Sequence, residues 1–329
     1  MIDVKYSFGY DKVCLIPRIK STLDSRNHAD TSINFNKWQL KIPLLSAPMP
    51  DVCESDMAIC LWNYGALGII HRFMSKEEQL KSYKKVLDSN ADCGNSIGVN
   101  SDWQERYESL RELGCNVFCV DVANGFCSNV ENVIKYLKKD KSVFVIAGNI
   151  ASKEGYQFLD DLGADAIRVG IAGGSVCSTK NETGVLSPMA STILEISELK
   201  NNNNHNAMII ADGGIKQPAD FCKALALGAD LVMAGGIFAG TDESPGNVIK
   251  DKSGKMHKLF RGAASFSTQK YLAGKKPTYV EGIETFVDYV GGVKTVLERF
   301  SGGLRSSMSY FNARNLSEYK ENISWTLNI

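Results

Sequence analysis

The chain of 329 residues has no excess charge of either sign, since Lys plus Arg and Asp plus Glu both total 37. It also lacks any extended Lys/Arg cluster. A basic nucleic-acid surface is therefore excluded, and an anionic ligand has to be held by local backbone donors rather than by a global field. No apolar run approaches the roughly 20 residues that span a bilayer. The opening "MIDVKYSFGYDK" has no basic segment followed by an apolar core, so no secretory leader is expected. The nine cysteines (14, 53, 60, 93, 115, 119, 127, 177 and 222) are odd in number and lack the paired spacing of a metal site or a disulfide framework. Several sit in apolar stretches such as "VFCVDVA", where Cys119 packs as a small hydrophobe. These absences predict a soluble, reduced, cytoplasmic protein with neither nucleic acid nor membrane as partner.

What is present is repetition. Short apolar runs occur at 42–49, 66–71, 96–100, 117–123, 142–149, 166–171, 207–214 and 231–238, each ending in small or polar residues. Amphipathic stretches lie between them, for example Ser75 to Ser89, Asp102 to Leu113 and Ala151 to Leu162. Continuous rather than alternating hydrophobicity is expected of strands buried on both faces. Eight such strands, each followed by a helix, predict a (β/α)8 TIM barrel, with a doubly wound open sheet as the alternative. Barrels routinely use this many residues as one domain, so residues 1–329 are expected to form a single one.

Polar residues collect at the C-terminal ends of the runs: His71 after the second, Asp121 after the fourth, Asn149 after the fifth and Asp212 after the seventh. One Asp or Asn there is an ordinary turn residue. Several together point to the face where barrels place their chemistry. His71 fits a satisfied strand-end histidine better than a catalytic one. Two segments break the repeat. "NNNNHN" (201–206) reads as a solvated loop, and the long Gly- and Lys-rich stretch 240–283 reads as a mobile lid over the barrel mouth.

Two glycine pairs, Gly213–Gly214 and Gly235–Gly236, end the seventh and eighth runs. Loops at these two positions frequently bind a ligand phosphate through backbone N–H groups, because a missing Cβ lets the backbone approach. Asp212 beside them is placed to accept from a ribose diol. After the sixth run, "GIAGGSVCSTK" (170–180) presents Cys177 on a glycine loop. Spacing alone leaves that cysteine open between packing and nucleophilic chemistry, which needs a thiolate.

The pattern has a wider resemblance. "YDKVCLIPRIKSTLDSR", "IPLLSAPM", "GGSVCSTK", "IIADGGIKQPADFCKALALGAD", "VMAGGIFAGTDESPG" and "GGLRSSMSY" together resemble the IMP dehydrogenase and GMP reductase family almost from end to end. In both branches the loop cysteine bonds to purine C2 while a nicotinamide cofactor exchanges hydride with the same carbon. Three features are similar to the reductase branch. Only residues 74–95 separate "IIHRF" from "SIGVN", which leaves no space for inserted CBS regulatory modules. "DVANG" and "IAGN" look like the reductase forms of those strands, and the stretch from Gly262 to Glu281 lacks the Arg-Tyr pair with which dehydrogenases activate water.

The resemblance therefore implies NADPH-dependent reductive deamination of GMP to IMP, in a homotetramer, with IMP dehydrogenase lacking CBS modules or a catalytically weakened nucleotide-binding protein as alternatives. It implies Cys177 as nucleophile, with Thr179 and Glu281 handling the proton on departing ammonia. It places Ser175, Asp212, Gly213, Gly214, Gly235, Gly236, Gly262, Ala263, Ala264 and Gly282 around the nucleotide. Ser25, Arg26, Arg72, Asp121, Val122, Ala123, Asn149, Ile171 and Ala172 fall to the cofactor, Ser25 and Arg26 from a neighbouring subunit. Ala172, Gly174, Cys177 and Lys180 match a potassium site. The chain departs from the family pattern at Ala172 and Gly173 (usually Gly-Pro), at Lys180 (usually Arg), and at Ala263–Ala264 (usually Met-Ser). The last pair leaves open GMP itself or a related 2-aminopurine nucleotide.

Overall fold

The eight apolar runs pair side by side in the computed structural model, which describes residues 6–100, 102–272 and 279–328. They form β1 (Leu44–Ser46), β2 (Ile69–Ile70), β3 (Gly94–Ile97), β4 (Val117–Asp121), β5 (Phe144–Ile150), β6 (Ala166–Val169), β7 (Met208–Asp212) and β8 (Leu231–Ala234). Hydrogen bonds join them in the order β1-β8-β7-β6-β5-β4-β3-β2. Leu45 then pairs in parallel with Leu67, just ahead of β2, and closes the ring. The result is a single-domain (β/α)8 barrel. An open doubly wound sheet would leave two edges unpaired, and closure removes them.

The helices of the repeat are α1 (Ser55–Asn63), α2 (Lys76–Asp88), α3 (Trp103–Glu112), α4 (Ser128–Leu137), α5 (Lys153–Asp161), α6 (Thr179–Thr183), α7 (Met189–Asn203), α8 (Pro218–Ala226), α9 (Gly236–Ala239), α10 (Val293–Tyr310) and α11 (Leu316–Asn322). The expected amphipathic stretches become α2, α3 and α5, each ending a residue or two inside the range the sequence suggests. α2 begins on a capping box: Ser75 Oγ accepts from the Glu78 amide, and the Ser75 amide donates back to the Glu78 carboxylate. "NNNNHN" is only partly a loop. Asn201 to Asn203 finish α7, and Asn204 takes the left-handed conformation at φ 53° that ends it. His205 and its Asp160 partner, 2.7 Å apart, then anchor the entry to β7.

Two apolar layers result. Between sheet and helices lies the large outer core, including Ile70, Val120, Ile134, Ile167, Phe221 and Phe300. Inside the ring, Leu45, Ile69, Val117, Cys119, Ile146, Ala166, Ile210, Leu231 and Met233 fill the lumen. A hairpin of Ile33–Phe35 and Trp38–Leu40 packs against the strand-start residues Phe144 and Met208 and plugs the lower end.

Within the segment 240–283, residues 273–278 lie outside the described residues; the described part carries two strands and a helical turn at 268–272. β9 (Ile249–Lys250) and β10 (Met256–Arg261) form an antiparallel sheet completed by β11 (Glu284–Asp288), which lies beyond the expected end of the segment. Lys258 and Phe260 point inward from β10 and are almost fully buried. Burial pushes the Lys258 ammonium below its ordinary range, and it donates to the carbonyls of Thr241 (2.9 Å) and Ser244 (2.5 Å). Arg261 clasps the buried Asp51 through its amide and Nε, both 2.8 Å from Oδ2, and so ties β10 to the loop after β1.

Candidate active site

Parallel strands in a ring deliver all their C-terminal ends to one face, and there the structure has a cavity of about 1000 Å³. Its floor is a charge network. Arg168, on β6 and pointing into the barrel, donates from Nη1 to Asp121 Oδ1 at 2.6 Å and from Nη2 to Asp212 Oδ2 at 2.8 Å. Asn149 Nδ2 reaches the same Asp212 oxygen at 2.8 Å, and Arg72 Nε stands 3.4 Å from Asp121 Oδ2. Burial alone would raise the Asp121 carboxyl; the Arg168 and Arg72 charges outweigh it and hold the group below its ordinary range. Burial likewise opposes the Arg168 charge, but the surrounding carboxylates hold its pKa well above the usual value.

The loop after β6 carries the thiol. Cys177 Sγ donates to Thr179 Oγ1 at 3.2 Å, and Thr179 Oγ1 donates to Glu281 Oε2 at 2.8 Å. Glu281 comes from the far limb of the 240–283 segment, 102 residues ahead of Thr179 in sequence. Backbone contacts explain how it is held. The Ser178 amide donates to the Glu281 carbonyl at 2.9 Å, the Ile283 amide donates to the Val176 carbonyl at 3.0 Å, and Cys177 pairs with Gly282. Only glycine fits at 282, because a Cβ there would sit 2.7 Å from the Ser265 amide nitrogen. Gln269 donates to the carbonyls of both Ala264 (2.9 Å) and Tyr279 (3.0 Å), which draws the two limbs together.

Both glycine pairs line the same cavity. Gly213 and Gly214 both have positive φ (114° and 75°), conformations that favour glycine. Between Ser175 Oγ and the Phe260 ring lies Gly236, whose missing Cβ would be 3.6 Å from each. The hydroxyl and both glycine turns thus border one recess, with Phe260 as its apolar wall. Such a recess of backbone donors suits a phosphate without a net positive chain.

Most residues singled out in the sequence line this one cavity: Ser175, Cys177, Thr179, Glu281, Asp212 to Gly214, Gly235, Gly236, Gly262 to Ala264, Arg72, Asp121 to Ala123, Asn149 and Ile171 to Gly174. Ser25 and Arg26 do not; they border a separate cavity with Ser306, Ser309 and Tyr310. Gly282 acts through the backbone pairing just described. Lys180 lies in α6, outside the lining. His71 is used structurally: its Nδ1 accepts from the Phe73 amide at 3.1 Å, so Nε2 carries the proton facing Glu54. Sequence reasoning missed Arg168, Phe260 and Gln269. For Arg168 a signal was available, because a charge inside a strand buried on both faces has to be paired.

The sequence profile of the IMP dehydrogenase / GMP reductase domain matches residues 7–328. A protein of Chromobacterium violaceum named GMP reductase is 34% identical over 97% of this chain and 97% of its own. Inosine-5′-monophosphate dehydrogenases of Borreliella burgdorferi (35% identical, 97% of this chain, 93% of theirs) and Nitrosopumilus maritimus (37%, 98% and 95%) are as similar. The chain belongs to the IMP dehydrogenase / GMP reductase family.

Members of this family are oxidoreductases that use a nicotinamide cofactor, and GMP- and IMP-related substrates fit the family. The cavity is lined by Asp212, Ser175 and the two glycine pairs, and also by Val122, Ala123, Ile171 and Phe126 beside Asp121. Of the residues expected at a potassium site, the Gly174 carbonyl accepts from the Cys177 amide at 3.3 Å and the Lys180 carbonyl from the Gly184 amide at 3.2 Å, which leaves each a second lone pair. No helix among the described residues is long and apolar enough to cross a membrane.

Proposed function

We propose that this family member is a GMP reductase, which deaminates GMP to IMP with NADPH as reductant. The observation that carries the reading is the hydrogen-bonded series from Cys177 through Thr179 to Glu281, in a chain whose residues 262–281 contain no arginine to activate water. The donor directions run from thiol to hydroxyl to carboxylate. Passing one proton along them leaves a thiolate at Cys177 and a neutral acid at Glu281, so one relay both activates the nucleophile and loads the acid.

The thiolate attacks guanine C2, and N3 takes up a proton from solvent. Amide ion is a very poor leaving group, so the 2-amino group must depart as ammonia; Glu281 returns the proton through Thr179 as the C2–N bond breaks. The purine is then held as a thioimidate on Cys177. NADPH, when bound, supplies hydride to C2. The C2–S bond then breaks, its electron pair returns to sulfur, which takes the N3 proton to restore the thiol, and IMP leaves with a C2–H bond. Ser175 and the two glycine pairs hold the phosphate, Asp212 the ribose, and Asp121 with Asn149 and Arg72 the nicotinamide side. Ala263 and Ala264 give the base little side-chain contact, which admits related 2-aminopurine nucleotides as substrates.

Ser25 and Arg26 border a different cavity, so a role at the cofactor's adenosine end requires a neighbouring subunit. The reading therefore includes a homotetramer, which sedimentation checks. Activity is tested by incubating purified protein with GMP plus NADPH, with GMP plus NADH, and with IMP plus NAD. NADPH loss with one ammonia per turnover is the expected result. NADH formation from IMP overturns it in favour of a dehydrogenase, and silence in every arm with tight nucleotide binding favours a binding protein.

A further inference from the structure

Arg168 is a cation in the middle of the strand run "AIRVGI", and its three guanidinium nitrogens are all engaged. Nε and Nη2 donate to Asp212 Oδ2 at 3.0 and 2.8 Å, while Nη1 donates to Asp121 Oδ1 at 2.6 Å. Asn149 Nδ2 adds a third donor to the same Asp212 oxygen at 2.8 Å. Among the described residues no donor reaches Asp212 Oδ1, and Asp212 lines the cavity. Three donors thus converge on one carboxylate oxygen and leave the other presented to a ligand. Arg72 closes the far side of Asp121, so two arginines and two aspartates form a locally neutral group.

We propose that Arg168 is a positioning residue that couples the two binding sites, so that purine nucleotide and nicotinamide cofactor bind cooperatively. The inference rests on the assignment above of Asp212 to the ribose and Asp121 to the cofactor. A ribose diol bound at Asp212 Oδ1 fixes that carboxylate. Because the guanidinium is a rigid planar fork, fixing one prong orients the others and with them Asp121. The second ligand then meets a site whose ordering cost has already been met, and by linkage the effect is reciprocal. Lysine cannot substitute, since a single ammonium is a point charge with no plane to transmit.

The test measures the affinity of the full-length protein for NADP⁺ with and without saturating GMP, a pair between which no hydride can pass. In the wild type GMP is expected to tighten NADP⁺ binding at least about 5-fold, the lower end of usual coupling factors. In Arg168→Lys that factor should fall to within about 2-fold of unity while each ligand alone still binds, a change that general destabilisation would not produce. A wild-type factor near one, or an undiminished factor in Arg168→Lys, overturns the proposal. If Arg168→Lys does not fold, Arg168→Gln, whose single amide can donate to only one of the two carboxylates, carries the same expectation and the same overturning result. A wild type that binds neither GMP nor IMP sinks the functional reading itself and the coupling with it. Binding of both ligands without coupling sinks the coupling alone.

Discussion

The two ends of the barrel are built from the same eight strands and do opposite work. At the lower end Phe35 lies 4.6 Å from Phe144 between ring centroids, and Trp38 meets Trp62 edge-on at 5.3 Å, a dry plug set by shape. At the upper end the lumen holds Arg168, Asp121, Asp212 and Asn149 under glycine loops, a polar site set by charge and hydrogen-bond direction. The difference teaches that the strand direction, rather than composition, divides stability from chemistry. Side chains at strand starts can be chosen for packing alone, and those at strand ends are free to converge on a ligand.

Substitutions at each end should separate the two roles. The largest effect is expected at the top: Cys177→Ala should abolish turnover while nucleotide affinity and thermal midpoint stay near wild type, measured by ammonia release and calorimetric titration. Persisting turnover would remove the thiol from the chemistry. Glu281→Gln comes next, with ammonia release slowed about 10²- to 10⁴-fold, the usual range for a positioned acid or base, and GMP affinity little changed. Rapid-quench measurement of ammonia checks it, and unchanged release would discredit the relay.

The bottom should respond in the opposite sense. Phe35→Ala leaves a hole in the plug and is expected to cost about 3–5 kcal/mol of stability while the KM values hold; denaturant unfolding alongside steady-state kinetics is the check. Smallest is Ala172→Gly. Ala172 sits at φ 59° on the thiol loop, where a Cβ costs roughly 1–2 kcal/mol, partly offset by the roughly 0.4–1 kcal/mol that glycine gives the unfolded chain. A rise of about 1–3 °C in midpoint is expected. A lower midpoint would show that the loop carries no strain there.

The barrel strands were legible because each is buried on both faces and so reads as an uninterrupted apolar run, as "VFVIAG" does for β5. α2 was legible as an amphipathic stretch, and its start is fixed locally, since Ser75 and Glu78 are one turn apart and need no tertiary partner. The sheet β9–β11 was not. Its strands are short, alternate in burial and pair across a long separation, so local pattern favoured a loop. The Asn run misled for a related reason: asparagine is a poor helix former, and packing of α7 carries the helix into it regardless.

The site divides the same way. Cys177 on its glycine loop and the paired glycines after β7 and β8 are local patterns; the glycines themselves pointed to a phosphate recess, while the residues left Cys177 open and only the resemblance implied a nucleophile. Arg168 carried a readable signal, a charge where none is tolerated unpaired, but not the identity of its partners. That both Asp121 and Asp212 meet it, that Glu281 reaches Thr179 across 102 residues, and that Ser25 and Arg26 fall outside the cavity were decided by the closure of the ring and the pairing of the far segment with the thiol loop. By itself the sequence determined the periodicity, the barrel and its family, since these follow from burial and local conformation residue by residue. The charge network belongs to the tertiary structure alone, and Thr179 with Glu281 was reachable from the sequence only through the family resemblance, because hydrogen-bond partners are set by distance in space, which the chain order does not record.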